Sequence, residues 1–167
     1  MTEIDATLLV VEDEPITRTQ LAGHFQREGY TVLTRENANH VEETIKEQNV
    51  DICLVDINLP GKDGLTLTRE IRSRSDVGII LVTGKDEQID RIVGLESGAD
   101  DYVTKPFDPR ELLSRVKNLL WRLRAQQKQK EQGTQRHFAN WTLNLNKREL
   151  TTPADATQPL SAGEFHL

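Results

Sequence analysis

Three runs of four apolar residues, Leu8–Val11, Ile52–Val55 and Ile79–Val82, each end abruptly on a polar group. Glu12 and Asp13 follow the first, Asp56 the second and Thr83 the third. Runs this short, closed off so sharply, suit strands buried on both faces, as in the middle of a parallel sheet. In open α/β sheets, ligands and chemistry collect just beyond the carboxyl ends of the strands. That is where these side chains fall. An acid at the end of a buried strand also has a structural use, as the cap of a turn or helix. Taken singly, each acid leaves both uses open.

The stretches between the quartets read as helices and further strands. Pro15 opens a helix at a first-turn position where its missing N–H costs nothing. Ile16, Leu21, Ala22 and Phe25 give that helix an apolar stripe, which Glu28-Gly29 stops. Tyr30–Thr34 reads as a strand and residues 38–48 as a polar, weakly amphipathic helix. A Pro60-Gly61 turn follows Asp56, then a helix from about Leu65 to Arg74. After the third quartet comes a helix carrying Ile89, Ile92 and Val93. Tyr102–Pro106 is a fifth strand, and Pro109-Arg110-Glu111 opens a last helix with Leu112, Leu113, Val116, Leu119, Leu120 and Leu123 inside. Strand and helix alternate five times. This predicts an α/β domain over residues 1–123, a doubly wound five-stranded parallel sheet with helices on both sides.

Composition changes after that. Residues 124–136 hold four glutamines within 126–132 and no apolar period, which predicts a flexible or frayed linker. Beyond it Trp141–Asn146 alternates as a strand does, with Arg148–Thr151 as its partner. Ser161-Ala162-Gly163-Glu164 has the form of a capping box. Residues 137–167 are too few to bury a core alone and read as the opening of a further domain. A hydrophobic content of 36% with 29% charged residues is that of a globular protein, and a net charge of −6 offers no overall attraction for nucleic acid. The single cysteine, Cys53, excludes an internal disulfide and sits in an apolar strand. No apolar run nears the ~20 residues of a membrane span. The start MTEIDATLL lacks a basic n-region and a long h-region, so a cytoplasmic protein is expected.

If the quartets are neighbouring strands, their ends bring together Glu12, Asp13, Asp56 and Thr83, with Lys105 from the fifth strand. Clustered carboxylates repel and raise one another's pKa unless a cation intervenes. Lys105 supplies one positive charge, and ligands made only of oxygen favour Mg²⁺ as the remainder. A carboxylate at such a site, with a hydroxyl and an ammonium nearby, is equipped to accept a phosphoryl group. Alone, Asp13 would serve as an N-cap before Pro15 and Lys105 as a solvated lysine. Together with Asp56 and Thr83 they read as a site. His24, His40, His137 and His166 share no spacing and read as surface or loop residues.

Glu12-Asp13, Asp56, Thr83 and Lys105-Pro106, in that order on five βα units, resemble the receiver domain of two-component response regulators, with its CheY-like fold. The resemblance implies Asp56 as phosphoacceptor from a sensor histidine kinase. It implies Asp13 and Asp56 as side-chain ligands of Mg²⁺, Asn58 as a ligand through its backbone carbonyl, and Glu12 as holding a metal-bound water. Thr83 and Lys105 would sense the phosphoryl group, Tyr102 would turn inward on activation, and Lys105-Pro106 would be a cis bond. Ile89–Tyr102 is similar to the OmpR/PhoB subfamily, whose members have winged-helix outputs. That subfamily implies a homodimer on phosphorylation, through the helix near residue 92, the fifth strand and the last helix. Arg91, Glu96, Asp100, Asp101, Glu111, Arg115 and Lys117 match its interface charges. Residues 137–167 resemble the start of the winged-helix DNA-binding domain, without its recognition helix or wing, so promoter DNA would be a partner only with that domain complete. A switch rather than an enzyme is expected.

Two other readings start from the same residues. One is a stand-alone receiver acting as a phosphate sink. The other is a haloacid-dehalogenase-like phosphatase, which needs Asp-x-Asp where this chain has Asp56-Ile57-Asn58. A flavodoxin-like flavin site needs a Ser/Thr/Gly phosphate loop where Glu12-Asp13-Glu14 stand.

Overall fold

A computed structural model describes residues 4–84, 96–133, 135–138, 141–145, 147–152 and 157–159 of the protein. The chain divides into two compact units, Met1–Trp121 and Arg122–Leu167. The first is built on strands β1 (Thr7–Val11), β2 (Thr31–Arg35), β3 (Ile52–Asp56), β4 (Gly78–Thr83) and β5 (Asp101–Thr104). They pair in parallel in the order β2-β1-β3-β4-β5. The three quartets are thus the three central strands, and every residue of β3 and β4 is buried.

Alternation along those strands deals their side chains to two faces. Leu9, Val11, Cys53, Val55, Ile79 and Leu81 share one core cluster with Val41 and Ile45 of α2 (Val41–Glu47) and with Leu67 and Ile71 of α3 (Gly64–Arg74). Leu8, Val10, Ile52, Leu54, Ile80 and Val82 point the other way and are also buried. Outside that cluster, too, are Leu21 and Phe25 of α1 (Pro15–Arg27) and Leu112, Val116 and Leu119 of α4 (Pro109–Gly133). Each side chain so buried contributes roughly 1.5–3 kcal/mol relative to exposure. The doubly wound sheet is as expected. Burial also pushes the Cys53 thiol up to about 12, so it packs as a small hydrophobe.

Three local expectations need correction. Ile16 does not join the apolar stripe of α1: it is 66% exposed, because the helical turn sets it on the side opposite Phe25, away from the face that buries Leu21 and Phe25. His24 is half-buried on α1 rather than fully at the surface. Its ring meets Phe25 edge-on at 5.2 Å, and its Nε2 is buried with no hydrogen-bond partner among the described residues. The residues expected to form a flexible linker continue α4 to Gly133. Ala, Gln, Lys, Glu and Arg are strong helix formers, and they extend a helix already nucleated and packed at Leu112–Leu120.

The second unit holds an antiparallel sheet in the order β6-β7-β8-β9: Gln135–Phe138, Trp141–Asn144, Glu149–Thr151 and Thr157–Pro159. The expected pair is β7 and β8; β6 and β9 flank it. The helix expected near Ile92 and the capping box at residues 161–164 lie outside the described residues. No described helix is long and apolar enough to cross a membrane.

Candidate functional site

Register brings the acids together. Val11 pairs with Val55, so the residues that follow, Glu12 and Asp56, leave adjacent strands side by side. Asp56 pairs with Val82 and Thr83 with Thr104, which sets Thr83 and Lys105 at the same end of the sheet. Main-chain hydrogen bonds extend each ladder by one step: Ile57 N–H to Val82 O at 3.0 Å, and Lys105 N–H to Thr83 O at 2.7 Å. A helix then starts against this edge. Gly64 N–H donates to Ile57 O at 2.8 Å, and Asp63 caps α3 by accepting from the N–H groups of Leu65 and Thr66 at 2.9 Å. A Cβ on Gly64 would lie 2.8 Å from Ile57 Cα and closer still to the Asp56 carbonyl oxygen. Only glycine lets α3 approach the main chain of Asp56 this nearly.

Each buried carboxylate is held at both oxygens. Glu12, 2% exposed, accepts from Glu14 N–H at 3.1 Å and from Lys105 Nζ at 2.7 Å. Asp56, 5% exposed, accepts from Asn58 N–H at 3.0 Å and from Lys105 Nζ at 3.0 Å. Asp13 stands exposed beside them. Glu12, Asp13 and Asp56 each offer a ligand oxygen within 4.8 Å of the other two. Thr83 is buried, its hydroxyl donating to Gly84 O at 3.3 Å.

Electrostatics follow from this crowding. Burial pushes the Glu12 carboxyl above its ordinary range, and the neighbouring Asp56 adds to the rise. Lys105 and the Glu14 N–H pull it partly back. For Lys105, burial works against the charge, yet the hydrogen bonds to Glu12 and Asp56 outweigh it and hold the ammonium above its usual value. Repulsion between the carboxylates contributes to the rise at Glu12, and loss of water is the larger cause.

The remaining predicted residues fall as follows. Lys105-Pro106 is cis. Asn58 is exposed, next in line after Ile57 at the rim of the site. Tyr102 packs half-buried against the core cluster that includes Leu81. Asp101, Glu111 and Arg115 form a triad within the chain: Arg115 Nη1 meets both Asp101 oxygens at 2.9 Å, and Nη2 meets Glu111 at 2.8 Å. Asp100 is taken by Arg72 at 2.9 Å. Glu96 and Lys117 are exposed, and Arg91 lies outside the described residues.

Two residues of the β1–α1 loop region escaped the sequence reading. The capping use offered for Asp13 belongs to Glu14, whose carboxylate accepts from Ile16 and Thr17 N–H at 3.0 and 2.5 Å. Arg18 reaches back over the loop to the main-chain carbonyls of Glu12 and Asp13. The direction of helical side chains, towards the N-terminus, was the available signal.

Residues 8–117 match the family described as the response regulator receiver domain. The chain is 50% identical to the transcriptional regulatory protein AruR of Pseudomonas aeruginosa, over 96% of this chain and 68% of that protein. It is 52% identical to the TorCAD operon transcriptional regulatory protein TorR of Escherichia coli K12, over 96% of this chain and 70% of that protein. The crystal structure of the TorR receiver domain superposes with a TM-score of 0.67 at 57% identity, covering 70% of this chain and 98% of that one.

Proposed function

Because this chain belongs to the response regulators that carry a receiver domain, we propose that Asp56 is its phosphoacceptor and that phosphorylation switches a transcriptional regulator of the OmpR/PhoB type. One observation carries the reading: three carboxylates from the ends of two neighbouring strands, Glu12 and Asp13 after β1 and Asp56 on β3, converge within 4.8 Å, and one ammonium bridges the two that are buried. The donor set is all oxygen and anionic, which fits Mg²⁺ held by Asp13 and Asp56 with the Asn58 carbonyl, and Glu12 holding a bound water. When bound, the ion offsets the charge of the phosphoryl oxygens.

The chain's own groups do the rest. A carboxylate oxygen of Asp56 forms the O–P bond as the P–N bond of a phosphohistidine breaks, and the electron pair leaves on the imidazole nitrogen. Asn58 N–H and Lys105 hold the carboxylate in orientation beforehand. Afterwards Lys105 pairs with the phosphoryl oxygens, and Thr83 turns its hydroxyl from Gly84 O towards them. The partner supplying the phosphoryl group is a sensor histidine kinase. It docks beside the site, at a cavity of about 460 Å³ lined by Thr17, Leu21, Lys105, Pro106 and Phe107.

The added charge biases a two-state face. Tyr102, level with Leu81 on the strand beside Thr83, turns further inward, and the face bearing Glu96, Asp100, Asp101, Glu111, Arg115 and Lys117 favours a homodimer. In that dimer the Asp101–Arg115–Glu111 triad is presented as a unit. Base recognition belongs to a winged-helix output whose opening strands lie in residues 137–167. Incubating wild type and Asp56→Asn with a small phosphodonor and Mg²⁺ tests the core of the reading. Labelling of wild type alone is expected; equal labelling discards Asp56 as acceptor.

A further inference from the structure

Asp13 is the exposed member of the acidic cluster, and no hydrogen bond holds its carboxylate among the described residues. Its main chain, by contrast, is tied down on both sides. Arg18, half-buried on the first turns of α1, donates from Nη1 to Glu12 O at 2.8 Å and to Asp13 O at 3.1 Å. These two carbonyls precede the helix, whose ladder begins with Arg18 N–H to Glu14 O at 3.0 Å. The loop's amides are engaged as well: Glu12 N–H on Arg35 O, and Glu14 N–H on the Glu12 carboxylate. Fixing the peptide units before and after Asp13 fixes the direction in which its side chain leaves the backbone.

The guanidinium also brings a permanent positive charge to a cluster of acids while leaving their oxygens open. Lys105 does the reverse, occupying one oxygen of Glu12 and one of Asp56. A basic residue that paired directly with Asp13 would compete with an incoming cation; one that grips only carbonyls does not. Resting on the reading of Asp56 as phosphoacceptor, we propose that Arg18 is a positioning residue, which presents the Asp13 carboxylate to a divalent cation and so sets how much Mg²⁺ the transfer to Asp56 requires.

The test uses the full 167-residue chain as wild type, Arg18→Met and Arg18→Lys, with Asp13→Asn as the reference for loss of the ligand. Mg²⁺ binding is measured by titration calorimetry and Mn²⁺ binding by electron paramagnetic resonance, both without phosphodonor. Partners that hold a metal ligand in place are worth about 10–100-fold in affinity, and Arg18→Met is expected at the lower end, about tenfold weaker. The Mg²⁺ concentration for half-maximal labelling by phosphoramidate rises by the same factor, while the rate at saturating Mg²⁺ changes less. Arg18→Lys, which reaches one carbonyl, recovers part of the loss. A purely structural Arg18 would lower the urea midpoint in EDTA and leave the cation affinity of the folded protein unchanged; equal affinity in wild type and Arg18→Met overturns the proposal. If wild type binds the cation yet is never labelled, the phosphoacceptor reading fails, and the cation titration still decides the role of Arg18.

Discussion

Replacing Lys105 by methionine removes one charge and keeps the apolar stem. Its ammonium lies 2.7 Å from Glu12 and 3.0 Å from Asp56. At an effective dielectric of about 20, each contact amounts to roughly 6 kcal/mol of gross attraction. Most of that is offset by the cost of withdrawing the three charges from water. Deleting one partner of a buried pair typically costs about 3–5 kcal/mol. The Lys105 side chain retains 31% exposure, so water reaches the gap, and a loss of about 2 kcal/mol is expected after that discount. Two conditions should shrink it. A cation at ten times its Kd adds about 1.4 kcal/mol to the folded state, and the variant gains more than wild type because no ammonium competes for the carboxylates. Lowering the pH acts in the same direction. The Glu12 carboxyl already sits above its ordinary range, and losing Lys105 raises it further. A raised acid binds its proton in the folded state while the unfolded chain has released it, so stability rises as pH falls from neutral towards the ordinary glutamate range. Urea unfolding in EDTA and in MgCl₂, at pH 7 and pH 5, measures all of this. A deficit identical in all four conditions, or none at all, would refute the electrostatic account of the site.

Other substitutions probe separate parts of the account. Gly64→Ala drives a methyl group into the main chain of Asp56 and Ile57; it should cost about 1–3 kcal/mol and slow labelling of the folded protein, whereas wild-type stability and rate would show that α3 does not constrain the acceptor. Asp63→Ala removes the cap of α3 and should lower stability by about 1 kcal/mol at neutral pH. Hydrogen bonds from Thr66 hold the Asp63 carboxyl below its ordinary range, so its contribution is present above that range and lost as pH falls through the lowered value; the gap between wild type and variant in urea should therefore close in acid. Arg115→Ala breaks the triad with Asp101 and Glu111 and should abolish phosphorylation-dependent dimerisation in sedimentation while leaving the labelling rate of Asp56 unchanged. A dimer that persists would place the interface elsewhere.

The central strands were legible because their burial on both faces leaves no polar residue in Leu8–Val11, Ile52–Val55 or Ile79–Val82. The convergence of Glu12, Asp13 and Asp56 followed from strand order and register, since a parallel sheet places equivalent strand ends side by side. What escaped depends on contacts that leave no complementary residue in the chain. Arg18 binds main-chain carbonyls, which every sequence has. Ile16 is different: the helical period itself sets it on the side of α1 opposite Phe25, facing water. The extension of α4 to Gly133 rests on propensity alone, without an apolar stripe to announce it. Strands β6 and β9 are three or four residues long and carry little alternation.

Reductive trapping tests the claim that Asp56 accepts the phosphoryl group most directly. Borohydride converts an aspartyl phosphate to homoserine, and peptide sequencing by mass spectrometry locates it. After treatment with phosphodonor and Mg²⁺, homoserine is expected at position 56 and nowhere else. Homoserine at position 13, or none in protein that has been shown to bind the cation, would contradict the account.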